Sequence, residues 1–185
     1  LRSFGEDPDL VSAMGNAYIK GLKKSGIIST AKHFPGHGDT STDSHTGLPV
    51  VDYSYETLER IHLKPFADAV KNGVDCVMSA HIIVNAVDRS SPATLSKPVL
   101  TGLLREKMGF EGLIITDALD MAAIADNYGP MEEAAVSAIR AGADILLMPQ
   151  DRADWLGSIE NTIERIKSAV SSGELSEERI EESFN

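Results

Sequence analysis

Four short apolar runs recur along the chain, at residues 27–34, 74–80, 113–116 and 143–148, and each is followed by a stretch with helical spacing. The runs are nearly continuous rather than alternating, as in strands covered on both faces. After the first run the helical pattern contains Leu58, Ile61, Ala69 and Val70; after the second it has Val99, Leu103 and Leu104. The third is followed by Ala134, Ala135, Ala138 and Ile139, the fourth by Trp155, Ile159, Ile163, Ile166 and Val170. The punctuation agrees with this division. Asp7-Pro8 reads as N-cap plus N1 proline for an opening helix that carries Leu10, Met14, Tyr18 and Leu22 and ends near Gly26. Ser96 can cap the third helix with Gly109 just past its end, and Gly142 closes the fourth. Ser176 reads as a further N-cap, with Leu175 and Ile180 spaced for a hydrophobic staple. Pro65 falls inside the second helical pattern and predicts a kink or break there, because its ring displaces a carbonyl one turn back.

Strand–helix alternation predicts an α/β fold with a parallel sheet and right-handed crossovers. A weak internal echo supports a repeating unit: Asn72-Gly73-Val74-Asp75 and Ala141-Gly142-Ala143-Asp144 each join a helix stop to a strand. Four strands in 185 residues cannot close an eight-stranded barrel, which takes about 250 residues, so the count alone favours an open doubly wound sheet. No linker or composition break divides the chain, and residues 1–185 read as one unit.

Charge removes several function classes. Seventeen Lys and Arg against 28 Asp and Glu give a net charge of −11, which argues against a nucleic-acid or anionic-membrane partner. No run approaches the roughly 20 apolar residues of a membrane span. The single cysteine, Cys76, cannot form an internal disulfide and reads as a small buried hydrophobe. The chain opens on Leu1 without a methionine or a signal-like segment, which suggests an excised or processed piece and leaves the compartment open.

The chemistry concentrates after the first strand. Lys32, His33, His37, Asp39, Asp43 and His45 lie within fourteen residues, with Pro35, Gly36 and Gly38 between them to allow sharp turns. In parallel α/β folds the loops at the C-terminal ends of strands carry function. Asp43 and His45, two apart, project to one side of an extended segment, where the carboxylate can orient the imidazole for proton transfer. The alternative is a divalent metal held by His33, His37 and His45 with Asp39 or Asp43. Asp117, at the end of the run 113–116, is either a helix N-cap or a reactive carboxylate facing the same mouth. Asp120 reads as an exposed residue of the next loop or a short helix. His81 could line the mouth or be a satisfied semi-buried histidine, and His62 reads as a surface residue. Trp155 reads as core, and the acidic stretch 174–182 as a solvated helix face.

Lys32-His33-Phe34-Pro35-Gly36-His37-Gly38, followed by Asp43-Ser44-His45, closely resembles the signature of family 3 glycoside hydrolases, specifically their β-N-acetylglucosaminidase (β-N-acetylhexosaminidase) branch. The segments Arg2-Ser3-Phe4-Gly5-Glu6-Asp7-Pro8 and Gly112 to Asp117 resemble, respectively, the stretch that precedes the signature and the strand that bears the nucleophile. The resemblance implies a TIM-type (β/α)8 barrel of which this chain supplies about four βα units. It implies Asp117 as nucleophile, His45 paired with Asp43 as general acid and base, and Arg2, Lys32 and His33 as ligands of sugar hydroxyls. With an imidazole in place of the acid carboxyl, the usual carboxyl spacing of retaining enzymes, about 5–5.5 Å, does not transfer. No metal or organic cofactor is implied. The implied substrate is a carbohydrate ending in N-acetylglucosamine, from peptidoglycan fragments or chitooligosaccharides, and a missing barrel half or a second copy would cover the open edge. A metal-dependent hydrolase and a non-catalytic sugar-binding or assembly module are the rival expectations.

Overall fold

The computed structural model describes residues 3–38, 40, 47–148 and 155–184. The fold is α/β, with parallel strands separated by helices. Helix α1 (Pro8–Lys24) begins as its sequence predicts: Asp7 is the N-cap, its Oδ1 accepting the Asp9 N–H at 2.9 Å, and Pro8 occupies the first turn. Strand β1 (Thr30–Phe34) follows, then a two-residue strand β2 (Val50–Val51). Next comes a composite helix: α2 (Tyr55–Thr57), π-helical turns over Leu58–Leu63, and α3 (Lys64–Lys71). The wide turns end at Leu63 and Pro65 stands in the first turn of α3, so the predicted break takes the form of a change in helical pitch. After β3 (Cys76–Ser79) and the short β4 (Ile83–Val84), a 3₁₀ turn (Ala93–Leu95) leads into a π-helical segment, Pro98–Lys107. Strand β5 (Leu113–Ile115), helices α4 (Ala122–Ala125) and α5 (Met131–Ala141), then α6 (Trp155–Ser171) and α7 (Glu177–Glu182) complete the order.

The principal sheet has the order β1-β3-β5 with every pairing parallel, and Ile145 adds one parallel bridge to Ile115 at its far side. The fourth apolar run is therefore a single bridge rather than a full strand. β2 and β4 form a separate parallel pair, in which the Ile83 N–H donates to Pro49 O at 2.9 Å and the Asn85 N–H to Val51 O at 3.1 Å. Two-residue strands leave no periodicity to read, and the sequence pattern does not anticipate them.

The core lies between the sheet and the helices that cross over it. Phe34, Val77 and Ile114, one from each strand, are fully buried with Leu58, Leu100 and Leu104. Phe34 meets the Phe66 ring edge-on at 5.2 Å. A smaller cluster, Val136, Ile139, Ala169 and Leu175, joins α5 to α6 and the α7 entry. Ser176 caps α7 as expected, accepting the Arg179 N–H at 3.1 Å. The apolar stripe of α1 departs from expectation: Leu10, Met14 and Tyr18 are 48%, 47% and 65% exposed, while Ile19 and Ser12 turn inward. Ile163 is likewise exposed, and the side chain of Trp155 lies outside the described residues.

The internal echo has a physical basis. Gly73 (φ +74°) and Gly142 (φ +119°) both occupy the left-handed region that lets the chain reverse from helix to strand. Two residues on, each aspartate bonds the amide of the neighbouring strand. Asp75 Oδ2 accepts the Ser29 N–H at 2.8 Å and the Ser29 hydroxyl at 2.6 Å. Asp144 Oδ2 accepts the Ile114 N–H at 2.9 Å and is paired with Arg105, while its Oδ1 takes Ser183 and Arg179. Both clamps sit at the N-terminal ends of the strands, away from the histidine loop.

Candidate active site

Because β1, β3 and β5 are parallel, their C-terminal ends open onto one edge of the sheet. β1 delivers Lys32, exposed, and His33, half-buried, and its peptide bonds Lys32–His33 and Phe34–Pro35 are cis. β5 runs through the buried Thr116 into Asp117. Across the end of the intervening β3, His33 Nε2 stands 3.6 Å from Asp117 Oδ2, within ion-pair range and beyond a direct hydrogen bond. Their side chains remain 23% and 17% exposed, so both are open to a ligand yet shielded from bulk water. His37 lies edge-on to His33 with ring centroids 6.1 Å apart, and its Nδ1 contacts Thr40 Oγ1 at 2.8 Å. Arg2, Asp39, Asp43 and His45 lie outside the described residues.

The N-cap alternative for Asp117 does not hold. The next helix, α4, begins five residues later behind Met121, and Asp117 Oδ1 accepts only the adjacent Ala118 N–H, at 2.9 Å, among the hydrogen bonds of the described residues. Its second oxygen faces His33. Asp120 is half-buried in the turn between Asp117 and α4 rather than exposed.

The turn that carries Asp117 is held from both sides. On one, the Leu119 N–H donates to Leu147 O at 3.1 Å and the Leu147 N–H to Thr116 Oγ1 at 2.9 Å. On the other stands His81, completely buried just beyond β3. Its Nε2 lies 2.8 Å from Ala118 O and its Nδ1 2.8 Å from Thr94 Oγ1, which also contacts Ser79 Oγ at 2.8 Å. Burial holds the His81 imidazole below its ordinary pKa, partly opposed by the Ala118 carbonyl and the Asp117 charge. A carbonyl can only accept, so Nε2 carries the proton and the neutral ring receives the Thr94 hydroxyl at Nδ1. Ser79 and Thr94 were not singled out by the sequence. Thr94 lies 13 residues beyond His81 and 15 beyond Ser79, so no local pattern in the sequence ties the three together.

His62 is not a surface residue. It is half-buried, its ring stacked on Tyr53 at 4.3 Å, and its Cβ would lie 3.0 Å from a Cβ placed on Gly36. At φ +129°, Gly36 supplies both the backbone conformation and the close approach. Among the described residues no group of three or more His, Cys, Asp or Glu is arranged to hold a metal ion, and no helix is long and apolar enough to cross a membrane.

Several proteins of known name are similar to this chain. Beta-hexosaminidase A of Pseudoalteromonas piscicida is 39% identical over 199 residues, covering all of this chain and 33% of that protein. The beta-hexosaminidase of Chromobacterium violaceum is 43% identical over 147 residues, covering 80% of this chain and 41% of the relative. Among solved structures, a glycoside hydrolase family 3 beta-N-acetylglucosaminidase from Paenibacillus sp. str. FPU-7 superposes with a TM-score of 0.93 at 43% identity, covering 99% of this chain and 34% of that one. The beta-N-acetylglucosaminidase of Thermotoga maritima gives 0.86 at 36% identity, over 98% of this chain and 38% of that one. The chain thus spans between a third and a little over two-fifths of the length of these relatives. Residues 1–185 match the glycosyl hydrolase family 3 N-terminal domain, and the chain belongs to that family.

Proposed function

We propose that this chain carries the reacting residues of a retaining exo-β-N-acetylglucosaminidase that releases terminal β-linked N-acetylglucosamine from peptidoglycan fragments or chitooligosaccharides. The observation that carries the reading is the meeting of His33 and Asp117 at 3.6 Å over the ends of parallel strands. Asp117 attacks the anomeric carbon while His45, oriented by Asp43, protonates the departing glycosidic oxygen. The product is a glycosyl ester on Asp117. In the second step His45 takes a proton from water, the water oxygen bonds the same carbon, and the Asp117 carboxylate departs. Arg2, Lys32 and His33 bind sugar hydroxyls. The rigid bonding around the Asp117 turn supports this role, because a nucleophile must be aimed before the substrate arrives.

In the same reading residues 1–185 form a single partial catalytic domain, about four βα units of a (β/α)8 barrel. Two features support it. Among the described residues β1 pairs on one side only, with β3, and α1 leaves the stripe Leu10, Met14 and Tyr18 exposed, apolar surface of the kind a further βα unit would cover. Its test uses a full-length protein that contains this chain and an aryl β-N-acetylglucosaminide. Asp117→Asn keeps the shape of the side chain and removes its nucleophilicity, so turnover should fall by at least about 10³-fold. A variant retaining a tenth of the parent rate would remove Asp117 as nucleophile.

A further inference from the structure

We infer that His81 is a positioning residue for Asp117, fixing the peptide after the nucleophile from beneath without touching the sugar; this rests on the reading of Asp117 given above. His81 has no exposed surface and therefore cannot meet a substrate. What it does meet is the Ala118 carbonyl, at 2.8 Å. The N–H of the same residue, Ala118, donates to Asp117 Oδ1 at 2.9 Å. One residue thus links two bonds in series: the imidazole holds the Ala118 carbonyl, and the Ala118 amide holds one oxygen of the carboxylate. The other carboxylate oxygen is left facing His33 and the open edge.

The imidazole is itself braced. Thr94 Oγ1 lies 2.8 Å from its Nδ1 and 2.8 Å from Ser79 Oγ, and all three residues are fully buried. The Thr94 hydroxyl has one proton. Given to Nδ1, it fixes the tautomer with the hydrogen on Nε2, the form that can donate to Ala118 O; Ser79 then donates to Thr94. The Thr94 hydroxyl also lies 3.0 Å from Ala80 O, and the Thr94 N–H reaches the same carbonyl at 3.3 Å, so that carbonyl keeps a donor when the hydroxyl proton is given to Nδ1. The chain of donors runs from the end of β3, through the ring, to the turn after β5. It joins the central strand to the one that bears the reacting carboxylate.

Two amide replacements separate positioning from packing. In His81→Gln the side-chain amide nitrogen occupies the place of Nε2 and can still donate to Ala118 O. In His81→Asn it reaches only the place of Nδ1 and falls short. Both are measured in the full-length protein on an aryl β-N-acetylglucosaminide, alongside Asp117→Asn and Thr94→Val. His81→Asn should lower kcat about 10- to 100-fold with KM within about threefold, the loss expected of a misaimed reacting group. His81→Gln should recover kcat to within about fivefold of the parent, and Thr94→Val should lose kcat in the same sense as His81→Asn. Equal rates in the Asn and Gln variants, or a KM effect without a kcat effect, overturn the assignment. If either variant fails to fold, Thr94→Val decides, since an unchanged kcat there also overturns it. An active Asp117→Asn would refute the nucleophile and with it the positioning role of His81, whereas an inactive Asp117→Asn with equal Asn and Gln rates at residue 81 would overturn the positioning role alone.

Discussion

Removing the carboxylate of Asp144 should be among the most damaging single changes at the base of the sheet, and the matching change at Asp75 should be far milder. Asp144 is 4% exposed and accepts from the Ile114 N–H at 2.9 Å, the Ser183 hydroxyl at 2.8 Å and Arg179 at 3.2 Å, besides its pairing with Arg105. Asp144→Ala leaves the Arg105 and Arg179 guanidinium groups, 27% and 16% exposed, without their shared carboxylate, and only the exposed Glu182, 3.7 Å from Arg179, remains as an ion-pair partner. Breaking such a buried pair costs about 3–5 kcal/mol. Asp75 makes the same strand contact, but its side chain is 35% exposed and its cation, Lys23, is 3.6 Å away. Its loss orphans chiefly the buried Ser29 N–H, and with water able to enter, a cost of about 1 kcal/mol follows. Against a total stability of about 5–15 kcal/mol, the first change is severe and the second tolerable. Urea unfolding of the full-length protein followed by circular dichroism measures both, provided the slope m is unchanged. An Asp144→Ala midpoint no lower than that of Asp75→Ala would refute the reasoning.

Two further outcomes follow from the same region. A Cβ on Gly112 would stand 2.3 Å from Asp75 O and 2.8 Å from the Phe110 ring, and the nearer atom is backbone that cannot swing aside. Gly112→Ala should therefore cost about 1–3 kcal/mol, and an unshifted thermal midpoint would contradict the close approach. Acid should weaken the fold through Asp75 and Asp68. The Ser29 hydroxyl and amide, with Lys23, hold the Asp75 carboxyl below its ordinary range, and Lys64 does the same for Asp68. A carboxyl depressed in the folded state stabilises above its unfolded pKa, near 4, and that contribution is lost as pH falls through the folded value. Thermal midpoints between about pH 6 and pH 3 should fall less steeply in Asp75→Asn than in the parent, and parallel curves would refute the linkage.

Much of this architecture could be read before any coordinates. Apolar runs marked the positions of β1, β3 and β5, but only β3 approaches burial on both faces: Thr30 and Lys32 of β1 are exposed, as is Leu113 of β5. Capping at Asp7 and Ser176 was legible because a side-chain oxygen beside free amides acts over two or three residues. Legibility failed where the deciding contact is distant in sequence. The β2–β4 pair consists of two dipeptides that acquire strand character only from each other. His62 sits mid-helix like a surface position, and the Gly36 approach and the Tyr53 ring, both distant in sequence, help to enclose it. The stripe Leu10, Met14 and Tyr18 correctly predicted a helix but not which face would meet the core, since periodicity reports an apolar side and not its partner. At the candidate site the sequence supplied Asp117 and His33, and spatial proximity of the two is a property of sheet order alone.

The short β2–β4 pairing has a bearing on how this scaffold can diversify. Residues 35–49 leave from a fully buried anchor, Phe34, and rejoin the body at Val50–Val51, where Asn85 also ties Asp52 at 3.1 Å. A segment stapled at both ends meets changes in length mainly as added loop entropy, and doubling such a segment costs only about 0.6 kcal/mol. In the proposed reading, the stretch that carries the proton donor can therefore change in length and sequence while β5 keeps Asp117 in place. Variation in preference among related enzymes should accumulate between those two staples.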